Sequence, residues 1–112
     1  MPVYERLEGG CFLKLSISHL AWSAEQDSSM YSRLRDMGFS GLEIAPTRLF
    51  PDAPYEKLSE IQAFRERLAS EFSLSLPSMQ SIWYGRQETL FGDAQQRAFL
   101  LGYTKAAVRF AQ

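Results

Sequence analysis

The stretch Gly41-Leu-Glu-Ile-Ala-Pro-Thr-Arg48 constrains this chain more than any other. Met37-Gly-Phe39 before it reads as a helix end, with glycine just past the last turn. The next residues are short, apolar and bounded by breakers, as a buried strand is. Pro46 stops that strand, because proline cannot donate to a ladder. A single charge, Glu43, stands between Leu42 and Ile44. Period-two alternation turns Glu43 away from the face those two residues cover. A carboxylate on the inner face of a sheet is costly unless it is paired. The strand therefore either supplies Glu43 with a buried partner or lines a polar cavity.

The rest of the chain repeats the same grammar. Residues 1–12 read as an irregular lead-in, broken at Gly9-Gly10. Leu13, Leu15 and Ile17 alternate with Lys14, Ser16 and Ser18, which predicts a first strand over Leu13 to Leu20. Ser23-Ala-Glu-Gln26 has the form of a capping box and opens a helix to about Met37, with Met30, Leu34 and Met37 on one face. After the breakers Pro51-Asp-Ala-Pro54, apolar Leu58, Ile61, Phe64, Leu68 and Phe72 recur at helical spacing, predicting an amphipathic helix from about Tyr55 to Phe72. A third strand follows over roughly Leu74 to Gln80, where Pro77 implies an edge or a bulge. Ser81 to Gln87 is a loop. A last helix runs from about Asp93 to Phe110, with Ala94, Ala98, Leu101, Ala106 and Phe110 near one stripe.

The order is strand, helix, strand, helix, strand, helix, with about 30 residues per unit, the size of a βα module. Such alternation implies a parallel sheet with right-handed crossovers, hence an α/β fold. Three parallel strands with helices on one face leave the other face open, whereas parallel sheets are covered on both. The chain also reaches Gln112 directly after a helix, where another strand is due. A piece of a larger architecture is therefore expected.

Composition excludes several classes. With 112 residues and 46% hydrophobic content, the chain is at most one ordinary domain with enough apolar mass for a core. A net charge of −1 gives no footprint for nucleic acid. No run of 18 apolar residues is present, so no membrane span is expected. The first residues lack a basic region followed by an apolar run, so no signal peptide is read there. One cysteine, Cys11, allows no internal disulfide and fits a reducing cytoplasm. One Cys and one His are too few ligands for an ordinary zinc site within a single chain, so none is expected.

Three segments carry a family resemblance: Lys14-Leu-Ser-Ile-Ser-His-Leu-Ala-Trp22, Gly38-Phe-Ser-Gly-Leu-Glu-Ile-Ala-Pro-Thr-Arg-Leu-Phe-Pro51 and Pro77-Ser-Met-Gln-Ser-Ile-Trp-Tyr-Gly-Arg86. In that order they resemble the opening of the sugar phosphate isomerase/epimerase family, the xylose isomerase-like barrels. The resemblance implies that residues 13–112 are the first three βα units of a (βα)8 TIM barrel, with helices on the outer face and the barrel incomplete. Chemistry in such barrels gathers at the C-terminal ends of the strands. The family's reaction removes a proton next to a sugar carbonyl, and a divalent metal (Mn, Mg or Zn) steadies the resulting ene-diolate. The metal ligands and the acid/base pair come mostly from later strands. No catalytic residue, metal ligand or cofactor is therefore assigned within this chain, and the chain alone is expected to be inactive.

Seven residues at the predicted strand ends are candidates for contact with a sugar or sugar phosphate. His19, the only histidine, is either a partly buried residue satisfied by a neighbour or a contact to a substrate hydroxyl. Glu43 either bridges to a neighbouring strand, or binds substrate or supports a metal ligand from behind. Trp22 and Trp83 are either core or faces for the C–H side of a sugar. Arg48 and Arg86 read as solvated loop charges; a substrate phosphate or carboxylate would be their bidentate alternative. Gln80 either ties strand ends together or contacts a hydroxyl. The competing reading is a binding or assembly module whose copies cover one another's open sheets and hold a small polyol, as a homo-oligomer.

Overall fold

The computed structural model describes residues 13–112; the lead-in over residues 1–12 lies outside them. Three parallel strands form one sheet in the order β1-β2-β3: β1 is Ser16–Ser18, β2 is Gly41–Ile44 and β3 is Ser75–Met79. Ser16 pairs with Gly41 and Ser18 with Glu43; Gly41 in turn pairs with Ser75 and Glu43 with Ser78. The single residue Leu42 of β2 thus opposes two of β3, a bulge at Leu76-Pro77. Proline lacks the N–H a regular ladder needs, and a bulged edge strand is where it is tolerated. Both halves of the expectation for Pro77 hold.

Helix α1 spans Asp27–Asp36, the single turn α2 spans Pro46–Leu49, α3 spans Leu58–Phe72 and α4 spans Ala94–Ala111. The end of α1 forms as expected: Gly38 takes a left-handed φ of 84°, its N–H bonds Arg35 O and that of Phe39 bonds Leu34 O. This is the paired Schellman closure. Pro46 ends β2 and opens α2, where its missing N–H costs nothing.

Leu42 and Ile44 are buried on one side of β2. They gather Tyr31 and Leu34 from α1, Leu68 and Phe72 from α3, and Ala107 and Phe110 from α4 into one core. Helices α1, α3 and α4 therefore pack on that side. Apolar burial of this kind stabilises by about 25 cal/mol per Å² removed from water. On the opposite, concave side, Gly41 leaves no room for a side chain: a Cβ there would stand 2.9 Å from Pro77 Cγ and 3.2 Å from Ser16 Oγ. Ser16, Ser75, Pro77 and Ser78 are exposed on that side.

Several boundaries differ from the sequence expectation. The first strand is shorter than Leu13 to Leu20. The Ser18 hydroxyl accepts from Leu20 N–H and turns His19–Ala21 into a tight helical turn, leaving Leu13 and Leu20 exposed. The buried face of α1 runs through Tyr31 and Leu34, while Met37 is exposed. In α4 the buried stripe is Leu100, Ala107 and Phe110; Ala94, Ala98 and Leu101 face outward. Small alanines fit either face, so they carry little information about orientation. Helix α3 starts at Leu58, because Pro54–Glu56 forms a separate turn. None of the described helices is long and apolar enough to cross a membrane.

Helix α3 ends at Ser73, held at a left-handed φ of 54° so that Leu74 N–H can reach Leu68 O. A side chain in that region is strained by about 1 kcal/mol relative to glycine. Ser73→Gly is expected to raise the unfolding free energy by about 0.5–1 kcal/mol, read from urea melts; an unchanged or lower midpoint would mean the cap is not formed this way.

Candidate functional site

Four polar side chains line the concave side toward the C-terminal ends of the strands. Period-two alternation puts Ser18, Glu43 and Ser78 in one row across β1, β2 and β3, in the pairing given above. The Ser78 hydroxyl donates to Glu43 Oε2 at 2.6 Å. Gln80, just past β3, spans the width of the sheet and donates its side-chain amide to the Ser18 hydroxyl. Its backbone N–H bonds Ile44 O at 2.9 Å, which fixes where the side chain starts. Glu43 thus has a hydroxyl partner and remains only partly buried. A carboxylate, two hydroxyls and an amide supply both donors and acceptors along this row.

A second cluster sits at the ends of β1 and β2, on the helix side. Arg48 on α2 forms a fork with Asp27, the first residue of α1: Nη2 donates to Oδ1 at 2.8 Å and Nη1 to Oδ2 at 3.3 Å. Nη2 also donates to the Trp22 carbonyl at 3.2 Å. The Trp22 indole N–H donates to Asp27 Oδ1 at 2.8 Å. The side chains of Arg48 and Asp27 are 13% and 25% exposed. Burial works against the charge on Asp27, but the hydrogen bonds from Arg48 and Trp22 outweigh it and hold the carboxyl below its usual range.

His19 lies beneath this fork with no exposed surface. Arg48 Nη1 donates to its Nε2 at 2.8 Å. A guanidinium has no acceptor, so Nε2 must offer its lone pair and the ring proton must sit on Nδ1. Tyr31 places its hydroxyl 2.7 Å from the same nitrogen. Nδ1 is buried without a partner among the described residues. Asp27 Oδ1 is 3.3 Å from Nε2, a contact between two acceptors while the ring is neutral. Burial first, and the Arg48 cation second, lower the His19 pKa to about 4, so the ring is neutral at pH 7. Burial also pushes the Tyr31 hydroxyl up, keeping it protonated. The Phe64 ring stacks on His19 at 6.2 Å, with Trp22 edge-on at 5.7 Å.

The seven sequence candidates therefore fall into three places. Glu43 and Gln80 share the concave row. His19, Trp22 and Arg48 form the fork cluster, which ties the turn after β1 to the turn after β2. Trp83 and Arg86 lie apart against α4: the Trp83 N–H donates to Thr104 Oγ1 at 2.9 Å, and Arg86 stacks over Phe99 at 4.4 Å while gripping Glu88 at 2.6 and 3.1 Å. Two expectations are corrected here. Arg48 is a buried ion-pair partner, because Asp27 neutralises it where water cannot. His19 is wholly buried, and among the described residues Nε2 has partners while Nδ1 has none. The expectation missed Asp27, Tyr31, Ser18 and Ser78. The serines were legible, since both alternate with apolar neighbours in their strands; Asp27 and Tyr31 were not, because their partner is 21 residues distant for one and 12 for the other. Compared with known proteins, the chain matches no family model, no curated protein and no solved structure.

Removing one partner of a largely buried ion pair strands the other charge. Asp27→Asn and Arg48→Met are each expected to cost about 2 kcal/mol of stability in denaturant melts, and the double variant little more than either alone. Additive losses would show that the fork does not exist in solution. His19 adds a pH dependence. Its folded pKa lies below the ordinary 6.5, so the unfolded chain binds more protons between pH 6.5 and about 4. Stability is then complete above pH 6.5 and falls by at most roughly 3 kcal/mol as the pH drops to about 4, with Asp27 adding a loss of the same sign further down. His19→Gln is expected to flatten the upper part of that profile; an unchanged slope would place the titration elsewhere.

Proposed function

We propose that this chain forms one wall of a small-molecule site for a sugar or sugar phosphate, within a TIM barrel of the isomerase/epimerase kind. The observation that supports this reading is the concave row of Ser18, Glu43, Ser78 and Gln80. It lies at the C-terminal ends of parallel strands, the end at which open and closed α/β sheets bind their ligands. Its groups match a polyol: hydroxyls donate to Glu43, and hydroxyls or carbonyls accept from Gln80 and the two serines. Glu43 is the group that would bind a substrate hydroxyl or take a proton beside a carbonyl.

The reaction proposed for the complete barrel is proton transfer next to a sugar carbonyl, with the ene-diolate stabilised by a divalent metal (Mn, Mg or Zn). Among the described residues no three His, Cys, Asp or Glu side chains converge. The row does not by itself fit a metal, and no step through one is derived. What these residues do is hold hydroxyls against the sheet; further strands would supply the catalytic pair. The fork cluster then acts beneath the row, fixing the turns after β1 and β2 so that Ser18 and Glu43 keep their relative height. A cytoplasmic site of action is part of the same proposal. The open concave side also supports the binding-module reading, in which the polyol is held but not converted.

The test is a titration of the isotope-labelled chain with D-xylose and with a fructose phosphate. Amide shifts are expected at Ser18, Glu43, Ser78 and Gln80, and Glu43→Gln is expected to weaken binding about tenfold, the scale of one hydrogen bond to a charged group. No incorporation of solvent deuterium into the sugar is expected from this chain alone. Shifts confined to the helices, or affinity indifferent to Glu43→Gln, would remove the reading. Deuterium incorporation would show instead that the acid/base pair is already present.

A further inference from the structure

The outer edge of β3 borders a groove of about 820 Å³ between α3 and α4. The other edge of β3 pairs with β2; among the described residues no strand pairs with this one. The groove is floored by Leu76, Met79 and Ile82 and walled by Leu58 and Ile61 of α3 and Phe110 of α4. The apolar stripe of α3 runs out into it: Leu68 is fully buried, whereas Leu58 at the other end is 51% exposed. Unpaired strand edges combined with exposed apolar side chains are a template for another strand.

Charge narrows what the occupant is. Arg65 on α3 and Arg109 on α4 line opposite walls of the groove. Arg35, Arg48, Arg67 and Arg86 are each paired with a carboxylate, but neither wall arginine has one among the described residues. A second copy approaching through the same edge would bring two such arginine pairs together, an arrangement like charges disfavour. Pro77 is no obstacle, because it sits in the bulge, where a strand paired on both sides accommodates a proline.

We infer that this groove receives an extended polypeptide strand which pairs with β3 and carries apolar residues toward the helices and a carboxylate at each end for Arg65 and Arg109. The inference deepens the barrel reading, since the same edge is where a fourth strand adds, but it rests on the groove and not on the concave row. The two fail separately: a sugar titration reports on Glu43, and the experiment below reports on the edge.

The probe is the peptide acetyl-Glu-Thr-Val-Ser-Ile-Ser-Val-Thr-Glu-amide, whose alternate residues present the apolar centre and both carboxylates on one side. It is titrated into the labelled 112-residue chain beside an analogue with lysine at both ends. Shifts are expected along Ser75–Met79 and at Leu58 and Ile61, with the acidic peptide binding about tenfold more tightly than the lysine analogue. R65E/R109E is expected to reverse that order; both positions are exposed, and a melt of the variant checks that it folds. Should the free chain lack a cooperative melt, the same titration is read as folding induced by the acidic peptide. Equal binding of both peptides, shifts away from β3, no binding of either, or a dimer whose interface covers β3 would each overturn the proposal.

Discussion

The guanidinium of Arg48 closing on Asp27 is the contact on which the geometry of the site depends. These residues are 21 apart in sequence and open different helices. Their fork, braced by the Trp22 indole and carbonyl, joins the turn after β1 to the turn after β2. It also sets the tautomer of His19: burial keeps the imidazole neutral, and a cation that can only donate makes it accept through Nε2. Nδ1, a buried donor without a partner among the described residues, is the cost of that arrangement, in which a stronger, charge-assisted set forms above it.

The two faces of the sheet divide the labour. Leu42 and Ile44 commit one face of β2 to the helices, and the carboxylate between them is forced onto the other. The same alternation in β1 brings Ser18 into line with it, and the bulge in β3 does the same for Ser78. The polar row is thus a by-product of burying the core: a slip of one residue would send Glu43 into the apolar layer and Leu42 into solvent. This is why a short strand with only one charge can position a polar site.

Much of the fold was legible because it rests on local rules. The alternation of strands and helices, the breaker at Gly38, the stop at Pro46 and the irregularity at Pro77 each follow from backbone chemistry within a few residues. The aim of Glu43 away from the helices was legible for the same reason. Helix orientation was read less well where alanine dominated, as in α4, and where a tyrosine rather than a methionine faced inward, as at Tyr31 in α1. Arg48 misled for a different reason. Its neighbours in sequence are loop residues, and nothing near it announces that an aspartate from another helix will neutralise it. Pairings across the fold are set by packing, and a single sequence does not display them.

The close approach of Pro77 to Gly41 has a consequence for the character of the concave face. A proline ring lies where a side chain at position 41 would project, so the N-terminal end of this face is packed shut against any residue larger than glycine, while hydroxyls, an amide and a carboxylate occupy the opposite end. Polarity on this face is thus graded along the strands, from packed ring carbons at one end to hydrogen-bonding groups at the other.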